Sequence, residues 1–192
     1  HDTPHLSALA KDGFAATLGT ILPAVTCSVQ ASILTGTLPR EHGIVGNGWY
    51  FSDLAEVLFW RRSHRLMGGQ KIWEAAKLRK PTLTTAQLFW WYNMYADVDW
   101  AVTPRPSYCA DGRKFPGIYT QPAALRAEIE ESLGPFPLFR FWGPGADISS
   151  SRWIANCAKL IADHKRPELL LVYLPHLDYD LQRLGPEDPR LG

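Results

Sequence analysis

An α/β layered fold is predicted by three features of the 192-residue sequence. Leu169-Leu170-Leu171-Val172-Tyr173-Leu174 is apolar without alternation, the mark of a strand buried on both faces of a parallel sheet. Stretches with helical periodicity alternate with such strands. Two strand-to-helix junctions then carry reactive side chains where open α/β sheets gather them: Thr26 after Leu22-Pro23-Ala24-Val25, and Asp178 after Leu174-Pro175-His176-Leu177.

In chain order, Thr3 and Pro4 open a short helix as N-cap and first helical residue, and Gly13 stops it. Residues 13–22, rich in Thr, Ile and Leu, predict a strand. Val25-Thr26 opens the next helix, with Val29 and Ile33 one turn apart and Gly36 just past its end. Residues 40–65 have no clear period and crowd Trp49, Tyr50, Phe51, Phe59 and Trp60 together. Residues 71–78 are helical in composition, 82–89 favour a strand, and the Pro and Gly content of 97–119 predicts an irregular insertion. A helix over 121–133 puts Leu125, Ile129 and Leu133 on one stripe, with Pro122 near its start and Gly134 as its stop. Another over 151–164 has Trp153, Ile154, Cys157, Leu160 and Ile161 as its apolar face. There is no internal repeat and no low-complexity tract.

The length suits one sizeable domain spanning residues 1–192, with 46% hydrophobic and 20% charged residues as in ordinary globular chains. Twenty basic against nineteen acidic residues leave a net charge of +1, which provides no broad footprint for a nucleic-acid polymer or an anionic membrane. Cys27, Cys109 and Cys157 are too few and too scattered for a disulfide framework or a zinc knuckle, and read as small buried hydrophobes. No apolar run reaches the roughly 18 residues of a membrane span. No signal peptide opens the sequence as given, which tilts the expected location towards the cytoplasm. The chain starts and stops abruptly, at His1-Asp2-Thr3-Pro4 and shortly after Gly185-Pro186, so the domain is expected to be incomplete at both ends.

Taken singly, the reactive residues have plain structural explanations. Thr26 reads as an N-cap, which stabilises a helix by about 1 kcal/mol. Asp178 reads as a cap or first-turn acid favoured by the helix dipole. Asn47, between glycines in GIVGNG, reads as a turn residue.

The longer string PAVTCSVQASILTGTLPREHGIVGN changes their weight, because it resembles the nucleophile region of the nucleotide pyrophosphatase/phosphodiesterase branch of the alkaline phosphatase superfamily. The features that carry the resemblance are Pro23, Thr26, Thr35-Gly36, Pro39, His42-Gly43-Ile44 and Gly46-Asn47. LPHLDYDLQRLGP is similar to the strand-to-helix metal motif of the same family, with Asp178, Gly185 and Pro186 in place. With the opening TPHLSALA the matching stretches lie in family order.

The resemblance implies an alkaline-phosphatase-like α/β/α core, of which this chain is the N-terminal portion. It implies hydrolysis of phosphodiester or pyrophosphate bonds in small, nucleotide-like substrates, with two divalent metals, zinc by family precedent. Thr26 would attack phosphorus, carry a covalent phosphoryl group and ligate a metal. Asn47 would donate to a non-bridging phosphate oxygen, with the Cys27 backbone N–H as a second donor. Asp178 would ligate a metal. Trp49 and Tyr50, just after Asn47, would stack on the leaving group, and His176 would contact substrate.

Two departures stand against the family pattern. Gln182 occupies the position four after Asp178 where the family has a metal-binding His; its neutral carbonyl oxygen is a weak zinc ligand, and other divalent ions suit it better. Asp180 is the nearest carboxylate that could compensate. The family's remaining ligands, an Asp before the Thr-Pro segment and an Asp-His pair with a further His beyond the Gly-Pro, have no counterpart in this sequence. A catalytically weakened binding module of the same fold and a phosphonate hydrolase are the alternatives. A sulfatase is disfavoured, since Cys27 lacks the following Pro and Arg of that modification motif. His42 is expected to hold the loop before Gly43, and His64 and His164 to be solvated. Substrate identity and oligomeric state stay open.

Overall fold

The computed structural model of the protein describes residues 3–191. Helix α1 (Pro4–Asp12) forms where expected and ends at Gly13, but it buries no side chain and Thr3 makes no capping bond. Residues 13–25 are irregular rather than a strand, with Phe14 and Leu18 exposed. Their β-forming composition has no neighbouring strand to pair with, and unpaired extended chain is not stabilised by propensity alone.

Helices α2 (Thr26–Thr35) and α3 (Pro39–His42) follow, each ended by a glycine in the left-handed region, Gly36 at φ 67° and Gly43 at φ 79°. Strands β1 (Gly48–Phe51) and β2 (Glu56–Phe59) form an antiparallel hairpin within the segment that showed no period. Helix α4 (Ile72–Arg79) leads into the main sheet, built from β3 (Thr85–Leu88), β4 (Trp100–Pro104), β7 (Ile118–Gln121) and β8 (Leu169–Val172) in the order β7-β4-β3-β8. Strand β3 runs parallel to both β4 and β8, and β7 is antiparallel to β4. The stretch 97–119 is therefore not merely an insertion. It supplies sheet strand β4 and the start of β7, with only a small hairpin, β5 (Ser107–Tyr108) with β6 (Lys114–Phe115), projecting between them.

Helices α5 (Leu125–Leu133) and α6 (Ile148–Lys165) cover one face of the sheet. Helix α6 starts three residues before its expected position because Asp147 caps it, accepting from the Ser149 N–H at 2.8 Å. Leu88, Val102, Ile129, Ile154, Cys157 and Ile161 are buried in that layer, and Leu170 and Val172 pack on it. On the other face, Cys27, Ala31 and Leu34 of α2 pack with Trp73, Trp91, Tyr92 and Ala101, and with Leu169 and Leu171. The strand side chains thus alternate between two covered faces, which is why β8 is apolar without interruption. Among the described residues β8 is one of the two edge strands, and its four residues are half-buried rather than fully buried as expected. Each fully buried Leu or Ile contributes about 1.5–3 kcal/mol, so stability is concentrated in this three-layer sandwich and not in α1. Helix α7 (His176–Leu184) follows β8 after a short turn and buries none of its residues.

Candidate active site

A cavity of about 680 Å³ opens beyond the carboxyl ends of the parallel strands β3 and β8, within the size range of small-molecule sites. Thr26, Asn47, Asp178 and Gln182 all line it, so the two distant strand-to-helix junctions meet at one place. Trp49, Tyr50 and His176 are not among its lining residues. Trp49 stacks on Phe51 at 4.8 Å and packs against the core, while Tyr50, the next residue on β1, points to the opposite face and is exposed. His176 sits edge-on to Tyr179 at the start of α7.

Thr26 is not a cap. Val25 occupies the N-cap position and Thr26 is the first helical residue, with no side-chain capping bond at this helix start. Its hydroxyl is free for the cavity, which Tyr173 also lines. Burial raises the pKa of the Tyr173 phenol, the neighbouring Thr26 hydroxyl opposes the rise, and the Asp178 carboxylate adds to it. Tyr173 therefore stays protonated at neutral pH and is a donor rather than a base.

Asn47 is fixed at both its backbone and its side chain. Its carbonyl accepts from the Trp60 N–H at 2.8 Å, which ties it to the far end of the β1–β2 hairpin. Its Oδ1 accepts from the Cys27 N–H at 3.0 Å, at the N-terminus of α2. Only an oxygen can accept there, so the amide orientation is settled chemically and both Nδ2 hydrogens remain for another acceptor. The Cys27 N–H is consequently not a second donor for phosphate; it is the anchor that aims Asn47. The Cys27 thiol is buried and its pKa is pushed up to about 11 by burial, which leaves it inert beside Thr26.

His42 has the structural place expected of it. It is buried, with Nδ1 accepting from the Ile44 N–H at 3.1 Å and Nε2 3.0 Å from Ser32 Oγ on α2. An accepting Nδ1 requires the neutral ring, and burial lowers its pKa accordingly. The loop carrying Asn47 is thereby pinned to α2.

Across α7 the picture differs. Asp178 lies in the exposed first turn, where the dipole favours an acid, and Gln182 Nε2 donates to Asp178 Oδ2. Asp180 does not line the cavity and is paired with Arg183 at 3.0 Å. The helix is tethered through Tyr179 Oη to the Phe141 carbonyl and through Arg183 to the Ala146 carbonyl at 2.6 Å, joining it to the cavity-lining loop 141–146. Among the described residues no group of three His, Cys, Asp or Glu side chains is arranged to hold a metal. Thr26, Asp178 and Gln182 offer a hydroxyl, one carboxylate and an amide, a set with a single negative charge that falls short of a complete zinc site.

The family model for type I phosphodiesterase/nucleotide pyrophosphatase matches residues 1–192. The chain belongs to that family. Its fold is similar to that of murine ectonucleotide pyrophosphatase/phosphodiesterase 5, with a TM-score of 0.57, 16% identity, and coverage of 100% of this chain against 43% of that one. A second structure of the murine protein, an inactive Thr-to-Ala variant in complex with AMP, matches with the same TM-score of 0.57 and identity of 16%, covering 42% of that chain. The chain thus spans less than half the length of the solved structures it matches. No curated protein matches it. The α/β/α layering implied by the sequence is the one found.

Several cavity residues of this family member carry no motif: Trp60, Arg62, Trp91, Tyr108 and Tyr173. Trp91 lies in a turn after β3 in which Phe89, Tyr92 and Tyr95 all adopt left-handed backbone angles, φ 60°, 63° and 64°. Such angles are unfavourable for bulky residues and persist only where the surroundings over-determine them. Here the Trp91 N–H donates to Gln30 Oε1 at 2.8 Å, and buried Asn93 donates to the Val102 carbonyl at 3.0 Å. The signal available in the sequence was the aromatic run Trp90-Trp91-Tyr92, whose ordinary explanation is core packing.

Proposed function

We propose that this cavity is a phosphoester-hydrolysing site in which Thr26 is the nucleophile, acting on phosphodiester or pyrophosphate bonds of small, nucleotide-like substrates. The observation that carries it is the Thr26 hydroxyl, which caps nothing and shares the cavity with an Asn47 amide whose donors are aimed and free. Thr26 Oγ1 would form the new bond to phosphorus as the bond to the leaving-group oxygen breaks, leaving a phosphothreonine that water then hydrolyses. Asn47 Nδ2 would donate to a non-bridging oxygen, where a single well-placed donor is worth 10²–10³ in rate, about 2.7–4 kcal/mol. The α2 N-terminus adds only about 0.3–1 kcal/mol towards the alkoxide. Two divalent ions, zinc by family resemblance, would supply the larger share by acidifying the hydroxyl and neutralising phosphate charge. From this chain, Thr26 and Asp178 would hold them, with Gln182 at the edge of the set. The inactive Thr-to-Ala form of the murine relative and its AMP complex support both the nucleophile and the substrate class. Trp60, tied to Asn47, takes the stacking role expected of Trp49 and Tyr50.

In the full-length protein with divalent metal present, Thr26→Ala is expected to reduce hydrolysis of bis(p-nitrophenyl) phosphate by more than about 10³-fold at unchanged thermal midpoint. Turnover retained in that variant removes Thr26 from the role.

A second reading, a binding module of the same fold, draws on the Gln182 amide, which occupies the Asp178 carboxylate where a metal would otherwise stand. Elemental analysis separates the two: less than one tightly held divalent ion per full-length chain favours binding over catalysis.

A further inference from the structure

Arg62 is the cation in the cavity that the hydrolytic scheme leaves without a task. The other arginine lining it, Arg183, is engaged by Asp180 and the Ala146 carbonyl. Among the described residues Arg62 has no carboxylate within ion-pair distance, and its buried Nε meets no hydrogen-bond partner. The one acid in the lining, Asp178, is occupied by Gln182. Burial disfavours the charged form of Arg62, Tyr108 opposes this, and Arg105 and Arg61 add like charge around it. An unpaired guanidinium in such a place is costly unless an anion meets it.

The position is also built rather than incidental. The guanidinium carbon lies 5.4 Å from the centre of the Trp91 ring, in cation–π geometry, and Trp60 packs on Trp91 at 5.1 Å. Trp91 is pinned to α2 by Gln30, and the Arg62 carbonyl accepts from the Met94 N–H at 3.2 Å. The Asn47 amide and this cation are joined through Trp60, whose N–H donates to the Asn47 carbonyl and whose ring packs on Trp91, so the two are held as neighbours on one cavity.

We infer that Arg62 is a specificity-determining residue whose guanidinium, held on the face of Trp91, pairs with a second oxyanionic group that the substrate carries beside the reacting phosphate. The inference rests on the phosphoester reading of the cavity. Planar bidentate recognition of a phosphate suits an arginine fork, and a lysine would lose both the fork and the stacking.

The test compares Arg62→Met and Arg62→Lys with the wild-type full-length protein on ATP and on p-nitrophenyl thymidine 5′-phosphate, which lacks the second oxyanion. Arg62→Met is expected to raise KM for ATP by at least about tenfold with Arg62→Lys intermediate, while KM for the aryl ester moves less than about threefold and kcat for neither substrate changes by more. Equal losses on both substrates, or a loss confined to kcat, overturn it. Equilibrium binding of ADP and AMP in a Thr26→Ala background reads Arg62 without turnover. A preference for ADP that disappears in Arg62→Met supports the assignment, and no preference in the parent overturns it. Should wild type hydrolyse neither substrate, the hydrolase reading fails while the ADP–AMP comparison still decides on Arg62.

Discussion

Two helices bring reactive groups to the same cavity, and they are held in different ways. Helix α2 buries Cys27, Ser28, Gln30, Ala31 and Leu34, and its partners Asn47 and His42 are locked to it by hydrogen bonds from Cys27 and with Ser32. Helix α7 buries nothing and is located by two bonds to the loop 141–146. A donor that is already aimed needs no reorganisation when charge develops in a transition state, so the α2 side is pre-organised for the proposed chemistry. The Asp178 side draws its geometry from tethers, and packing constrains it little. Substitutions near α2 should therefore trade activity against stability, whereas those on α7 should change chemistry with the fold untouched.

After Thr26 itself, the largest effect is expected at Asn47, where the two consequences can be separated. Asn47→Asp keeps an oxygen for the Cys27 N–H but removes both donors and adds negative charge. Asn47→Ala removes both functions. Each should lower kcat for an aryl phosphodiester by about 10²–10³. Only Asn47→Ala should also lose about 1 kcal/mol of stability in chemical denaturation, the cost of an abandoned helix-start N–H. Full activity in Asn47→Asp would break the donor role, and an unchanged stability in Asn47→Ala would break the anchoring one.

On the other side of the comparison, Gln182→His should tighten zinc binding about tenfold, because an imidazole nitrogen replaces an amide that now spends its N–H on Asp178. Stability of the metal-free protein should move by less than about 0.5 kcal/mol, since α7 buries none of its residues. Competition against a chromophoric chelator measures the first and thermal melting the second. Unchanged zinc affinity would place Gln182 away from any metal.

The same contrast explains what could be seen in the sequence. Helices α2, α5 and α6 were legible because apolar periodicity and a stop signal coincide there, as at Gly36 and Gly134. That Thr26 and Asn47 share a cavity was legible because their surroundings form one continuous motif. Strand β4 and the start of β7 were hidden by the Pro and Gly of the hairpin between them, which outweighed Val102 and Ile118 in reading that stretch. Residues 13–22 misled in the opposite sense, since strand propensity is only realised against a neighbouring strand. Arg62, Trp91 and Tyr173 reach the cavity through contacts that no local pattern encodes. The Gln30–Trp91 bond spans 61 residues, and the turn that presents Trp91 uses backbone angles that sequence statistics disfavour for aromatics. Trp60 was passed over for Trp49 because the hairpin brings residue 60, and not residue 49, back to Asn47 and into the cavity lining.

The smallest effect concerns the pH response of the α2 side. His42 is buried with its Nδ1 accepting from Ile44, so its pKa is lowered when folded, and that of half-buried His64 is lowered as well, by burial and then by Lys71. Below the ordinary histidine value of about 6.5 the unfolded chain binds protons that the folded one refuses, so stability must fall as pH falls through that value towards the lowered folded pKa. The slope from one such group cannot exceed about 1.4 kcal/mol per pH unit. Glu128 and Glu168, whose pKa values are lowered by hydrogen bonds from Lys165 and Lys80, would add their own losses only below about pH 4.5. His42→Asn places an amide oxygen where Nδ1 accepts from Ile44 and cannot titrate. Denaturation midpoints between pH 7 and 5.5 should fall less steeply in His42→Asn than in wild type, although the variant starts lower for want of the Ser32 bond. Parallel slopes would assign the acid sensitivity to His64, and with it to the surroundings of α4 instead of the helix that carries Thr26.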